Sequence, residues 1–150
     1  MKIVMGSDHA AFELRTKLVG KLREDGYEVV DLGTGSPEST DYPVWGAKVG
    51  RAVVAGEGDL GIAICGSGVG ISIAANKVQG VRAACVSETY SAAMARKHNN
   101  ANVLCFGARV VGDDVAHEIC LAFLEAQFEG DRHARRVGQL AELDGLPASC

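Results

Sequence analysis

Apolar residues fall along this chain in two rhythms, short unbroken runs and stripes at helical spacing, which alternate from end to end. Lys2–Ser7, Tyr27–Leu32, Leu60–Cys65, Val81–Ser87 and Asn102–Gly107 read as strands. Ala10–Asp25 sets Phe12, Leu14, Leu18, Val19 and Leu22 along one helical face, and Gly26 stops it. A turn-rich connection, Gly33–Thr40, leads to Asp41-Tyr42-Pro43, which opens a helix to Ala55 with Asp41 as N-cap and proline in the first turn. Further helices are expected over Ile71–Val78, Glu88–Asn99 and Gly112–Glu129; Gly130 ends the last, and Asp131–Leu143 forms one more. Strands without a polar face, each followed by a helix, belong in a parallel sheet covered on both sides. The fold class is therefore α/β: a single-domain, three-layer α/β/α sandwich on a Rossmann-like five-stranded parallel sheet. Residues 1–150 form one domain, the stretch from about 131 to 150 being a helical arm and tail. No repeat, low-complexity tract or linker interrupts it.

Composition narrows the function classes. A formal charge of −4 leaves no basic footprint for nucleic acid. The first residues lack the apolar core of a signal peptide, and no window approaches the roughly 18 apolar residues of a membrane span. Five cysteines (65, 85, 105, 120 and 150) are odd in number and form no C-x-x-C pair, which argues for reduced thiols in a cytoplasm and against a disulfide framework or zinc site. Cys85 and Cys105 lie in apolar runs and are expected in the core; Cys120 faces either way on its helix, and Cys150 is a tail thiol.

Asp59–Ser72 holds the densest chemistry. A buried strand ends at Cys65, and the turn Gly66-Ser67-Gly68-Val69-Gly70 follows, opening a helix. Three glycines let backbone N–H groups converge, and the helix N-terminus adds free ones, so the turn suits an anion. A thiol at that point suits a base or nucleophile, since a helix N-terminus favours thiolate. Ligands of open α/β sheets bind beyond the carboxyl ends of the strands. Gathered there in sequence terms are Asp8 and His9 after the first strand, Cys65–Gly70, Arg109 after the fifth, and His98 and Asn99 from the end of the fourth helix. Such a set is complete enough for acid–base catalysis on an anionic substrate. Each member also has a plainer role. Asp8 could cap the first helix, His9 sit in a solvated turn, His98 answer a helix dipole, and the glycines make a tight strand-to-helix turn. Arg132 and Arg136 share a helix face at i and i+4, fit for a phosphate clamp or for a solvated basic face with His133 and Arg135.

Gly6-Ser7-Asp8-His9-Ala10, Thr40-Asp41-Tyr42-Pro43, Cys65 through Lys77, His98 through Leu104 and Phe106-Gly107-Ala108-Arg109 occur in an order that closely resembles the type B ribose-5-phosphate isomerases. These belong to a wider group of sugar-phosphate isomerases that includes the galactose and allose 6-phosphate enzymes. The resemblance runs from Met1 to about Val137. It implies an aldose–ketose isomerase interconverting ribose 5-phosphate and ribulose 5-phosphate through an enediolate. It also implies Cys65 as the base between C1 and C2, Gly66–Gly70 (with Ser67, Gly68 and Val69) as the enediolate cradle, and His98 as the ring-opening acid. Ser67 stands where many relatives carry threonine, another hydroxyl. Asp8, His9, Tyr42 and Asn99 match substrate contacts, and Arg109, Arg132 and Arg136 a phosphate set. Some relatives replace the cysteine by serine and use a nearby glutamate; here Cys65 is present, and Val69 leaves no acid in the loop. The resemblance further implies no metal or organic cofactor, and a homodimer, or a pair of dimers, whose sites take His98 and the C-terminal arginines from the partner. Two alternatives stay open: an isomerase of another aldose phosphate with four or six carbons, and a non-catalytic sugar-phosphate or nucleotide-binding module. Against a dinucleotide site, the glycines follow the third strand, and no acidic residue ends a strand about 20 positions on.

Overall fold

A computed structural model describes residues 1–146 of the chain; Cys150 lies outside the described residues. Five parallel strands, β1 (Lys2–Ser7), β2 (Glu28–Asp31), β3 (Leu60–Cys65), β4 (Ala83–Cys85) and β5 (Val103–Gly107), form one sheet in the order β2-β1-β3-β5-β4. Six helices cover it: α1 (Phe12–Glu24), α2 (Tyr42–Val54), α3 (Val69–Asn76), α4 (Thr89–Asn99), α5 (Asp113–Leu124) and α6 (Asp131–Leu143).

The three layers follow from strand alternation. Ile3, Met5, Ile62, Ile64, Leu104 and Phe106 point to one face, where Leu14, Leu18 and Leu22 of α1, Ala92 and Ala95 of α4 and Ile119 and Phe123 of α5 pack on them. Val4, Ala63, Cys65, Val103 and Cys105 point the other way, toward Val49 of α2 and Ile71 and Ala75 of α3. With both faces buried, β3 and β5 have no polar position at all. The expected α/β/α sandwich is the observed fold.

Element boundaries moved where tertiary contacts outweighed local pattern. His9–Ala11 is a 3-10 turn rather than helix, because the Asp8 carboxylate accepts from Ala10 N–H at 3.0 Å. β4 is three residues long, a short strand on the sheet edge. The helix expected to reach Glu129 ends at Leu124. Beyond it the chain crosses to the end of α4, where Glu129 N–H donates to the Lys97 carbonyl at 3.0 Å and satisfies one of that helix's terminal acceptors. Gly130 therefore opens α6 instead of closing α5, with φ of 68°. Cys105 and Cys120 are buried, but Cys85 is exposed. That corrects the expectation of a core thiol: β4 is the sheet's edge, and its burial pattern leaves this position uncovered.

One buried cation braces the end of β1. Arg15, 3% exposed, donates to Ser7 Oγ at 2.9 Å and to the Thr34 carbonyl at 2.7 Å, tying α1 to the segments flanking the sheet's carboxyl edge.

Candidate active site

The order in which strands are added reverses between β1 and β3, and the residues after these two strands line one cleft. Its volume is about 370 Å³, and Asp8, His9, Tyr42, Cys65, Gly66, Ser67, Gly70 and Arg109 face it, with Ala10 and Val110 at its edges.

Cys65 is the last residue of β3 and 4% exposed. Its Sγ accepts the Gly68 N–H at 3.2 Å. That contact depends on the turn: Gly68 has φ of 80°, and a Cβ there would lie 2.6 Å from the Phe106 carbonyl carbon. Val69 N–H is engaged by Ser67 Oγ at 3.3 Å. Two of the amides expected in an anion cradle are thus committed locally. Those of Gly70 and Ile71, in the first turn of α3, have no helical acceptor available to them. The Tyr42 ring lies against the same turn, 2.7 Å from where a Cβ on Gly70 would sit. Gly70 is therefore a glycine because an aromatic wall lies on it. The Arg109 guanidinium spreads over Gly66, and Arg109 N–H donates to the Gly66 carbonyl at 3.0 Å.

Asp8 does both things open to it: it caps the 3-10 turn and lines the cleft, 6% exposed. His9 is fixed by a contact that sequence gave no sign of. His9 Nδ1 faces both the Thr40 N–H, at 3.1 Å, and the Thr40 carbonyl, at 3.2 Å, so the Thr40 backbone holds the ring in either neutral tautomer. Thr40 is itself held through its hydroxyl, which accepts from Trp45 Nε1–H at 2.9 Å.

His98 and Asn99 do not join this cleft, contrary to the expectation of one set at the carboxyl edge, and neither do Arg132 and Arg136. The reason is topological. A helix that follows a parallel strand runs back across the sheet, so its carboxyl end lies at the strands' amino edge. His98 and Asn99 end α4, just before β5 begins at Val103 opposite Gly61. Gly61 to Cys65 is four residues, about 13 Å of strand. At the end of α4, His98 stacks on His133 with centroids 4.3 Å apart and planes 5° apart. Arg132 adjoins His133, donating from Nε to its Nε2 at 3.5 Å. A second hollow of about 370 Å³ is lined there by Glu129, Asp131, Arg132 and His133. Asn99 faces a third, of about 390 Å³, with Asn76, Arg82 and Leu140. Burial lowers the His133 pKa, and neighbouring His98, Arg132 and Arg136 lower it further against the opposing pull of Glu129. Within one chain, then, a thiol with its glycine turn and an imidazole beside arginines occupy separate places. The nearest approach to a metal-ligand set among the described residues is His98, Glu129 and His133, whose ligand-type atoms lie within 4.8 Å of one another. No helix among the described residues is long and apolar enough to cross a membrane.

Comparison with known proteins places this arrangement. The model of the ribose/galactose isomerase family matches residues 3–140. Ribose-5-phosphate isomerase B of Escherichia coli is 52% identical over 95% of this chain and 96% of its own length. D-erythrulose-4-phosphate isomerase of Pectobacterium atrosepticum is 41% identical over 93% of each. Among solved structures, ribose-5-phosphate isomerase B of Clostridium thermocellum superposes with a TM-score of 0.95 at 52% identity, covering 97% of this chain and 98% of that one. The chain belongs to the ribose/galactose isomerase family.

Proposed function

We propose that this chain is an aldose–ketose isomerase that interconverts ribose 5-phosphate and ribulose 5-phosphate. The observation that carries the reading is the Cys65 thiol at the mouth of a glycine turn, in a chain 52% identical to an enzyme named for that reaction over 96% of the latter's length.

The chemistry asks little more than this chain supplies. The furanose opens as the C1–O4 bond breaks: O4 takes a proton from His98, and the C1 hydroxyl gives its proton to water, from which His98 is recharged. Cys65, as thiolate, then removes the C2 proton and returns it to C1, while hydroxyl protons exchange between O2 and O1. The intermediate is an enediolate, and stabilising its charge is the catalytic task. The Gly70 and Ile71 N–H groups and the Ser67 hydroxyl are the available donors. Asp8 holds sugar hydroxyls, Asn99 contacts the reacting end, His9 offers its Nε2, and Tyr42 walls the pocket. Arg109, Arg132 and Arg136 hold the phosphate, whose oxygens match guanidinium forks.

Such a site needs both places described above, which one chain keeps apart. The reading therefore includes a homodimer in which the Cys65 cleft of one copy meets His98, Asn99, Arg132 and Arg136 of the other. Val69, Ile73, Tyr90 and Val110 support it: all four are large apolar side chains more than half exposed, and Val110 borders the cleft. The four described thiols, all free, suit work in a cytoplasm.

A shorter substrate is the second reading, favoured by the 41% identity to the tetrulose-phosphate enzyme. The deciding experiment compares kcat/KM on ribose 5-phosphate, allose 6-phosphate, galactose 6-phosphate and a tetrose phosphate. Preference for ribose 5-phosphate supports the proposal. Preference for another sugar keeps the mechanism and changes the substrate, and no turnover of any leaves a binding module.

A further inference from the structure

The surroundings of His98 hold two groups that the reaction as written does not use. His133, 6% exposed, lies flat beneath the His98 ring at 4.3 Å, and its amide donates to the Gly130 carbonyl at 2.9 Å, fixing it in the first turn of α6. Its Nε2 accepts from Arg132 Nε at 3.5 Å. A ring nitrogen that accepts carries no proton, so in this contact the His133 hydrogen sits on Nδ1. Glu129 Oε2 stands 3.7 Å from His98 Nε2 and 3.8 Å from His133 Nε2. Its backbone, bonded to Lys97, holds it at the end of α4.

Two imidazoles stacked this closely do not both charge, because each imidazolium raises the cost of the other. Around the pair, Arg132 and Arg136 come from α6 and Glu129 from the segment before it. The arginines oppose a second positive charge, and Glu129 offsets one. Burial also keeps the His133 pKa below its ordinary value. The three ligand-type atoms lie within 4.8 Å, a spacing that invites a divalent cation. Arg132, however, donates to the His133 Nε2 that a cation would need and lines the same hollow. A single proton suits the site better.

We propose that His133 and Glu129 are positioning residues for His98: the stacked, neutral His133 and the Glu129 carboxylate together assign the one proton added to the neutral pair to His98 Nε2 and hold its ring for delivery. The proposal rests on His98 being the ring-opening acid. It adds a link from the phosphate to the acid, since Arg132 touches both the clamp's task and His133.

The test combines NMR with kinetics on the full-length protein. In a titration followed at the ring Cε1–H signals, with His98→Asn and His133→Phe supplying assignments, the first proton should appear on His98 and His133 should stay neutral to lower pH. Glu129→Gln should shift the His98 midpoint downward and move the matching limb of the kcat profile for ribose 5-phosphate with it, lowering kcat ~10-fold while KM stays within about twofold. His133→Ala should lower kcat similarly, and His133→Phe, which keeps a flat ring, should recover part of it. Protonation of His133 before His98, or a Glu129→Gln variant whose kcat limb stays in place, overturns the proposal. His98→Asn separates the two levels. If that variant keeps its kcat, His98 is not the acid and both readings fall; if it is inactive while the Glu129→Gln profile is unmoved, only the positioning role falls.

Discussion

Mixing two inactive variants tests the shared site most directly. On the proposed reading, Cys65→Ala removes the base at the carboxyl end of β3, and His98→Asn removes the acid at the end of α4. Each variant alone should lose roughly 10²–10⁴ in kcat, the usual worth of a positioned acid or base. If every site joins Cys65 of one copy to His98 of the other, a mixed dimer carries both substitutions in one site and neither in its second. Equal amounts exchanged to equilibrium give about half mixed dimers, each with one intact site of two, so about a quarter of wild-type activity should return by the two-fold symmetry of the assembly. The assay is ribulose 5-phosphate formation after co-refolding, with subunit exchange followed by native mass spectrometry on chains of distinct mass. A site built within one chain predicts instead that the mixture never exceeds the mean of its two inactive parents. Mixed dimers seen by mass, without recovered turnover, refute the topological argument.

Three further outcomes follow from named contacts. Gly68→Ala should cost roughly 2–5 kcal/mol, from the left-handed φ and the approach to the Phe106 backbone, and lower Tm by about 5–15 °C; activity should fall further than the folded fraction because the amide on Cys65 Sγ is displaced, and a variant of unchanged Tm contradicts this. Arg132→Ala or Arg136→Ala should raise KM for the phosphorylated sugar ~10-fold or more with a smaller change in kcat, since a clamp binds ground and transition states alike; an unmoved KM removes the clamp. Acid should destabilise the fold partly through His133: its folded pKa is lowered, so as pH drops through the unfolded value of about 6.5 the unfolded chain takes a proton that the folded chain refuses. Urea midpoints at pH 7.5 and 5.5 should therefore fall less for His133→Phe than for the wild type, and equal losses speak against it.

What was legible in the sequence, and what was not, divides along one physical line. Continuous apolar strands carry their burial on both faces, so β1, β3 and β5 and the parallel sheet could be read directly. The glycine turn after β3 was legible for the same reason, because glycines at 66, 68 and 70 record close approaches: Arg109 over the first, Phe106 against the second, Tyr42 on the third. Features set by the partner of a contact were not. The shortening of α5 depends on Glu129 reaching Lys97, and the placement of the His9 ring depends on the Thr40 backbone, which has no side-chain signature. Cys85 read as core because its neighbours are apolar, yet edge position decides burial, and strand order is not written in any one strand. Glu129 and His133 lacked a recognisable spacing to His98; only the return of α6 onto α4 brings the rings together.

The separation of acid from base has its own logic. Cys65, its glycine turn and Asp8 sit on the ends of central strands, where packing on both faces fixes them and where Arg15 braces the neighbouring backbone. On the proposed reading such a place suits proton transfer at carbon, where a misplacement of about 1 Å between the thiol, the enediolate donors and the substrate costs ~100-fold in rate. Ring opening is less demanding in position and more demanding in charge, since the acid must hold its proton beside two arginines. The end of α4 meets that need: a helix terminus accepts a cation, and Glu129 stands 3.7 Å away. On the proposed reading neither half works until a second copy arrives, because the phosphate clamp and the acid travel together on α4 and α6. Activity should then fall with dilution in step with dissociation, while the thiol cleft of each free chain stays folded. A specific activity that is constant through the dissociation range would mean that one chain, by itself, closes the gap that its own topology sets between Cys65 and His98.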